Sequence, residues 1–210
     1  MCLSNKQKFP SWKRLLDILL VILTSVITIP LSLMIMVYIK LKSSGPILYS
    51  QERIGFNGKV FNCYKFRTMK YQSSSSNHAT HIRNVVTSDK PMTKLDSTDG
   101  RIIKGVQWLR DSGLDELPQL INILKGEMSL VGPRPCLTYE YELFKHDAIY
   151  RFTVLPGLTG LWQISGKNNT TFKEMIMFDI EYIQNCNIFM DIKIIISTIK
   201  VVFGQLFKRF

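Results

Sequence analysis

The longest unbroken apolar run lies near the start of the chain. From Ile18 to Ile39 no residue is charged, and these twenty-two positions are long enough to reach across a bilayer core. Pro30 falls inside the run, where it removes a helix hydrogen bond and bends the axis. Lys13 and Arg14 precede the run and Lys40 and Lys42 follow it, so the positive-inside rule favours neither orientation of a simple span. Both ends on the cytoplasmic side would satisfy the rule. The pattern therefore predicts a re-entrant helix–break–helix over 1–44, with Pro30 as the membrane break, ahead of a full transmembrane helix. No small-x-small site marks a secretory signal. Asp17, at the mouth of the run, has Lys13 and Arg14 on its own helix face to neutralise it.

The period then changes. Two alternating runs, Gly45 to Gly55 and Lys59 to Met69, flank Asn57-Gly58, which is a strong hairpin signal. On the second strand Lys65 and Arg67 share a face and Thr68 follows, a set suited to a phosphate or nucleotide; a solvated basic face has the same pattern. Residues 71–98 are polar and of low complexity, which predicts a flexible loop. A short basic helix is expected over Arg101–Arg110. Leu117, Leu120, Ile121 and Leu124 recur at helical spacing, with Gly126 as the stop. Ser112 and Gly113 are cap-like and Pro118 suits a first turn, which puts Asp115 and Glu116 at the positive end of the helix dipole. Further helices are expected over Thr138–Phe152 and Phe172–Tyr182, the second carrying Asp179. Between them, the glycines from Gly157 to Gly166 allow backbone to approach a ligand, with Gln163 and Lys167 as polar groups beside it. Ile192, Ile195, Ile196, Ile199, Val202, Phe203, Leu206 and Phe210 keep a 3-4-3 spacing, which predicts an amphipathic interfacial helix over 191–210; a core helix has the same period.

Composition narrows the class. A chain of 210 residues is one domain with an appendage, and a formal net charge of +11 selects an anionic partner. Its four cysteines are scattered, without the spacing of a zinc site or a disulfide framework. Aromatic residues do not interleave with a basic stripe, which argues against nucleic acid. The expected fold is α+β: an irregular, helix-rich catalytic domain over 45–190 with a small β-hairpin, packed on the N-terminal re-entrant helix and on amphipathic interfacial helices. Asp115 and Glu116 point about 100° apart on a helix, so one can attack while the other holds a metal. Taken alone, the pair also fits a helix start decorated with acids.

Several stretches in fixed order resemble one family. They are Lys13-Arg14-x-x-Asp17, Tyr64-Lys-Phe-Arg-Thr-Met69, Leu114-Asp-Glu-Leu-Pro-Gln-Leu120, Met128-Ser-Leu-Val-Gly-Pro-Arg-Pro135 and Pro156-Gly-Leu-Thr-Gly160. Together they resemble the bacterial sugar transferases, the monotopic phosphoglycosyl transferases, in minimal catalytic form. The resemblance implies transfer of a sugar-1-phosphate from a UDP-sugar to polyprenyl (undecaprenyl) phosphate, with release of UMP. It implies Asp115 as the nucleophile that forms an aspartyl phospho-sugar, and Glu116 as a ligand of the required Mg²⁺. Lys65, Arg67, Arg110 and Arg134 become candidates for phosphoryl oxygens, with Thr68, Gln163, Lys167 and Asp179 completing a substrate site. Lys167 stands where the family has arginine, so a bidentate contact becomes a point charge. The implied setting is the cytoplasmic face of the bacterial inner membrane, at the first membrane step of a surface polysaccharide or glycoconjugate, with membrane lipid as a further partner. The sequence leaves the oligomeric state open, a homodimer included. The competing class is a non-catalytic membrane-anchored anion-binding protein, which would need neither the acidic pair nor a metal.

Overall fold

The computed structural model describes residues 10–70, 91, 100–144, 148–166 and 169–207. The expected loop over 71–98 lies almost wholly outside them. Helices and two small sheets alternate, giving the expected α+β class.

The apolar run forms α1 (Ser11–Lys42), which holds Pro30 inside it. Two helices with a break between them were expected; one helix is found. Lys40 and Lys42 lie in its last turn, where cations suit the negative end of the dipole. Lys13, Asp17 and Val21 are buried near one end and Ile35 and Ile39 near the other, while no residue from Ile22 to Met34 is buried. Both ends therefore dock on the same body, and the apolar middle stands clear of it. The local pairing expected for Asp17 is replaced by longer-range partners. Asp17 Oδ1 accepts from Ser129 Oγ at 3.1 Å and from the Leu130 amide at 2.9 Å. Lys13 forms a buried ion pair with Asp191 and donates to Tyr182 Oη at 2.7 Å. Arg14 donates to the carbonyls of Ile123 and Leu124 at the end of a helix, where Ile123 O also accepts from Gly126 N at 3.0 Å.

Strands β1 (Leu48–Ile54) and β2 (Val60–Phe66) form the expected antiparallel hairpin, with Ile54 opposite Val60 and Tyr49 opposite Lys65. Its turn is a five-residue connection in which Asn57 (φ 55°) and Gly58 (φ 72°) take left-handed backbone. The second strand was expected to run to Met69 but stops at Phe66. The expected helix over Arg101–Arg110 is also shorter. Gly105 takes φ +87° beneath the Tyr38 hydroxyl, and α2 begins only at Gln107 and ends at Ser112. A 3-10 turn, Leu114–Glu116, leads to α3 (Gln119–Lys125), then β3 (Ser129–Val131) and β4 (Cys136–Leu137). The helix expected over Thr138–Phe152 is α4 (Thr138–Phe144) followed by a separate 3-10 turn, Ile149–Thr153. Then come β5 (Gly157–Thr159), α5 (Leu161–Ile164), α6 (Phe172–Asn185) and α7 (Ile188–Phe207). A Thr171–Glu174 capping box starts α6.

The expected interfacial helix, α7, has two faces. Ile194 is buried against Val131 and Tyr182, and the helix packs across α2, α5, β3 and β5. Phe189, Ile192, Ile196, Ile199 and Phe203 form an exposed stripe.

The short parallel pair of β3 and β5 depends on glycine. Gly132 N donates to Thr159 O at 2.9 Å, and Gly157 N donates to Pro133 O at 2.8 Å. A Cβ on Gly157 would lie 2.1 Å from Gly132 N, and one on Gly160 would lie 2.3 Å from Gly132 O. These glycines were expected to admit a ligand. They let two backbone segments approach each other instead, which joins the stretch before Arg134 to the stretch after Pro156. Gly157→Ala is expected to cost about 3 kcal/mol or more, since neither neighbouring backbone can yield cheaply. Gly204→Ala meets nothing within 4 Å and should be neutral or slightly stabilising. Thermal unfolding of both variants in detergent checks the contrast.

Candidate active site

Gly113 (φ 77°) ends α2 and turns the chain into the 3-10 turn that carries the acidic pair. Ser112 Oγ donates back to Trp108 O at 2.7 Å, and Glu116 N donates to Gly113 O at 3.0 Å. Asp115 and Glu116 thus sit one turn ahead of α3, not within its first turn as expected, because Pro118 stands at the helix boundary. The turn is clamped by its flanks. Leu114 and Leu117 pack on the apolar cluster that also holds Ile35, Ile39, Leu109 and Phe66, so the second half of α1 and the acidic turn share one core.

Asp115 is buried and Glu116 half-exposed. Lys65 Nζ reaches Glu116 Oε1 at 2.5 Å. Burial works against the charged lysine, but Glu116 and Asp115 more than offset it, and the Lys65 pKa lies above the ordinary lysine value. Strand β2 is fixed in place from its open side by Asn122 of α3. The Asn122 side chain accepts from Tyr64 N at 3.1 Å and donates to Asn62 O at 2.7 Å.

A second layer holds Arg134. Its Nη1 donates to both oxygens of Glu140, at 3.1 and 3.3 Å, and Glu140 also accepts from the Leu137 amide at 2.8 Å. The buried Arg151 pairs with Asp179 at 2.7 Å and donates to Arg134 O at 3.2 Å. Arg53 donates to Pro135 O at 2.9 Å and to Gln51 Oε1 at 3.0 Å. Burial lowers the Arg53 pKa and the neighbouring Arg134 lowers it further; Glu140 and Glu116 act in the opposite direction. Burial pushes the Glu140 carboxyl up, but Arg134, Arg53 and the Leu137 amide outweigh it, so Glu140 lies below the ordinary carboxylate range.

The structure therefore brings Lys65 to the acidic pair, and puts Arg134 in the electrostatic neighbourhood of Glu116. Arg110 donates to Thr68 Oγ1 at 3.0 Å, which joins two more of the expected residues. Asp179 acts on the site only through Arg151 and Arg134. Arg67 departs from expectation. Strand β2 ends before it, so it does not share the Lys65 face; it is buried, donates to Ser43 O at 3.0 Å, and lies against Gly45. There it faces the negative end of the α1 dipole. Gln163 Oε1 is packed at the Gly132–Gly160 crossing, where it is buried without a hydrogen-bond partner. Lys167 lies outside the described residues.

Arg53, Glu140 and Arg151 were missed from sequence. Arg53 and Arg151 act through partners distant along the chain or through a backbone carbonyl, which no local spacing marks; Glu140 acts locally, on Arg134 and the Leu137 amide, and its place in the first turn of α4 was the available signal. Among the described residues no group of three or more His, Cys, Asp or Glu could hold a metal ion. A protein-built zinc or calcium cage is therefore not found among them. Mg²⁺ has other needs: one or two carboxylates, with the rest of its shell from water and substrate phosphate. The Asp115–Glu116 donor set fits that requirement.

The family model for bacterial sugar transferases matches residues 8–205. The chain is 45% identical over 162 residues to the galactosyl transferase CpsE of Streptococcus agalactiae, covering 77% of this chain and 35% of CpsE. It is 39% identical over 191 residues to the exopolysaccharide production protein ExoY of Rhizobium meliloti, covering 90% and 84%. It is 38% identical over 198 residues to the undecaprenyl-phosphate galactose phosphotransferase of Salmonella typhimurium, covering 90% and 40%. The chain thus spans most of ExoY and well under half of the other two.

The depressed Glu140 carboxyl has a signed consequence. The unfolded chain takes up this proton before the folded one does, so the stabilisation is complete above the ordinary glutamate value of about 4.3 and is lost as pH falls through the lower folded value. Glu140→Gln should be less stable by about 2–3 kcal/mol at neutral pH, since it leaves Arg134 and Arg53 without their carboxylate. Thermal melts from pH 7 to pH 3 should show the gap between the two proteins closing on the acid side.

Proposed function

The chain belongs to the bacterial sugar transferase family, and on that premise we propose that it moves a sugar-1-phosphate from a UDP-sugar to polyprenyl phosphate and releases UMP. The observation that supports the reading is the apolar cluster shared by α1 and the acidic turn, which holds Ile35 and Ile39 with Leu114 and Leu117 packed on it. In this reading the nucleophilic carboxylate lies near the lipid-seeking helix, where an acceptor with a polar head and an apolar tail can reach it. The Salmonella relative, an undecaprenyl-phosphate galactose phosphotransferase, supports the acceptor class.

In the first step a carboxylate oxygen of Asp115 attacks the β-phosphorus of the donor. The bond from that phosphorus to the bridging oxygen breaks, and UMP departs with the electron pair. In the second step an oxygen of polyprenyl phosphate attacks the same phosphorus and the acyl phosphate bond breaks. That regenerates the carboxylate and gives a polyprenyl-diphosphate-sugar. Mg²⁺, held through Glu116, would offset the diphosphate charge that otherwise repels Asp115. Arg134, held by Glu140, supplies fixed positive charge where the phosphoryl oxygens gain negative charge, and Lys65 adds a second cation beside it. Arg110 and Thr68 flank the same turn.

The same contacts support a re-entrant seating. The unburied stretch from Ile22 to Met34 is thirteen residues, about 20 Å of helix against a hydrocarbon core of about 30 Å. With both ends fastened to one body, α1 enters and leaves one leaflet. The exposed stripe of α7 would lie at the same interface. We assign that face to the cytoplasmic side of a bacterial inner membrane.

Two measurements test the reading. With a UDP-sugar and no polyprenyl phosphate, the protein should release about one UMP per site and stop, with a hydroxylamine-labile adduct on Asp115. Asp115→Asn should give neither, and Glu116→Gln should slow the burst yet keep the adduct site. An adduct elsewhere, or UMP release only when the lipid is present, would overturn the covalent route. For topology, single cysteines near residues 5 and 44, in a background without the native four, should both resist a membrane-impermeant thiol reagent in intact cells. Labelling of either one from outside would establish a full span.

A further inference from the structure

We propose that Lys65 is a resident counter-cation that holds Glu116 until the donor arrives, and that it competes with the metal for this carboxylate. The inference rests on the reading of Glu116 as a metal ligand. Lys65 Nζ holds Glu116 Oε1 at 2.5 Å, so an ammonium charge already sits on this carboxylate and competes with a divalent cation for it. Neither side chain is sealed in: 24% of Lys65 and 35% of Glu116 is exposed, so an ion from solvent can reach the pair.

The backbone beneath Lys65 gives it nowhere to go as a unit. Strand β2 is paired with β1 along its whole length, with Tyr49 opposite Lys65, and Asn122 of α3 bonds to residues 62 and 64 on either side. What can move is the flexible four-carbon stem, which carries a point charge and not a fixed fork. Two further cations, Arg53 and Arg134, lie in the same electrostatic neighbourhood as Glu116. An ammonium released from Glu116 therefore gains nothing by staying unpaired near them. The donor diphosphate is the anion that would receive it.

Metal and diphosphate binding then favour each other through one side chain. The metal displaces Lys65 towards the phosphate, and the phosphate draws Lys65 away from the carboxylate. Such a coupling is reciprocal. Without nucleotide the acidic pair is already neutralised in part, and the site holds metal weakly.

Mn²⁺, read as free ion by electron paramagnetic resonance, tests this on the full chain in detergent, with UDP as the non-reacting nucleotide. Lys65→Met should bind Mn²⁺ about tenfold more tightly than the native protein when no nucleotide is present, the equivalent of one charge-assisted hydrogen bond removed from competition. UDP should tighten Mn²⁺ binding strongly in the native protein and much less in Lys65→Met. Lys65→Arg keeps a cation on Glu116 and should behave as the native protein does. Should Lys65→Met lose its thermal transition, Lys65→Gln carries the same expectation. If Glu116→Gln loses Mn²⁺ binding while the Lys65 variants bind as the native protein or more weakly, the exchange is wrong and the metal reading stands. If Glu116→Gln binds Mn²⁺ as the native protein does, the metal reading itself falls, and the exchange with it.

Discussion

The structure depends on fastening an apolar helix to a charged body by its two ends. Charged groups beside hydrocarbon are costly unless each finds a partner. Lys13, Arg14 and Asp17 all find theirs far along the chain: Asp191 and Tyr182, the last carbonyls of α3, and Ser129 with Leu130. Tyr182 Oη also donates to Asp191 Oδ1 at 2.8 Å, so the lysine, the tyrosine and the carboxylate form one closed set. Through these contacts α1 meets α3, β3, α6 and α7. The other end is held by packing, with Ile39 and Val106 wholly buried, and by the Tyr38 hydroxyl donating to Gly105 O at 2.9 Å.

Between those fastenings the site is built on a floor that has little freedom. The β3–β5 crossing brings two backbones too close for any side chain at Gly157. The turn that leaves this crossing carries Arg134, and three buried groups grip it: Glu140 at the side chain, Arg151 at its carbonyl, and Arg53 at the carbonyl of the next residue, Pro135. A cation fixed in this way need not reorganise when charge develops on a phosphoryl group, which is the main way a preorganised site lowers a barrier. Asp179 belongs to the same scheme at one remove, since its ion pair keeps Arg151 in place.

Much of this was legible from sequence wherever the information is local. A charge-free run marked α1, alternation with Asn57-Gly58 marked the hairpin, and ordered motifs marked the family. The misreadings share one cause, which is tertiary contact overriding local spacing. Lys13 and Arg14 are well spaced to serve Asp17 along one helix, yet distant partners take both. Lys65 and Arg67 have the spacing of one strand face, but the strand ends between them. Gly157 and Gly160 resemble ligand-cradle glycines because close approach of backbone to phosphate and of backbone to backbone require the same missing Cβ. Arg53 carries no local mark, since its contact with the Pro135 carbonyl exists only once β1 and β4 are paired.

The double fastening of α1 also bears on how such a protein reaches its membrane. A spanning helix obliges the cell to move one flank, with its lysines and arginines, through hydrocarbon, at about 2.5–3.5 kcal/mol for each such residue at the bilayer centre. In the re-entrant seating proposed for α1, both flanks stay with the folded body on one side of the membrane. Delivery in that case is a partitioning event that follows folding, driven by the apolar middle of α1, and needs no translocation of charge.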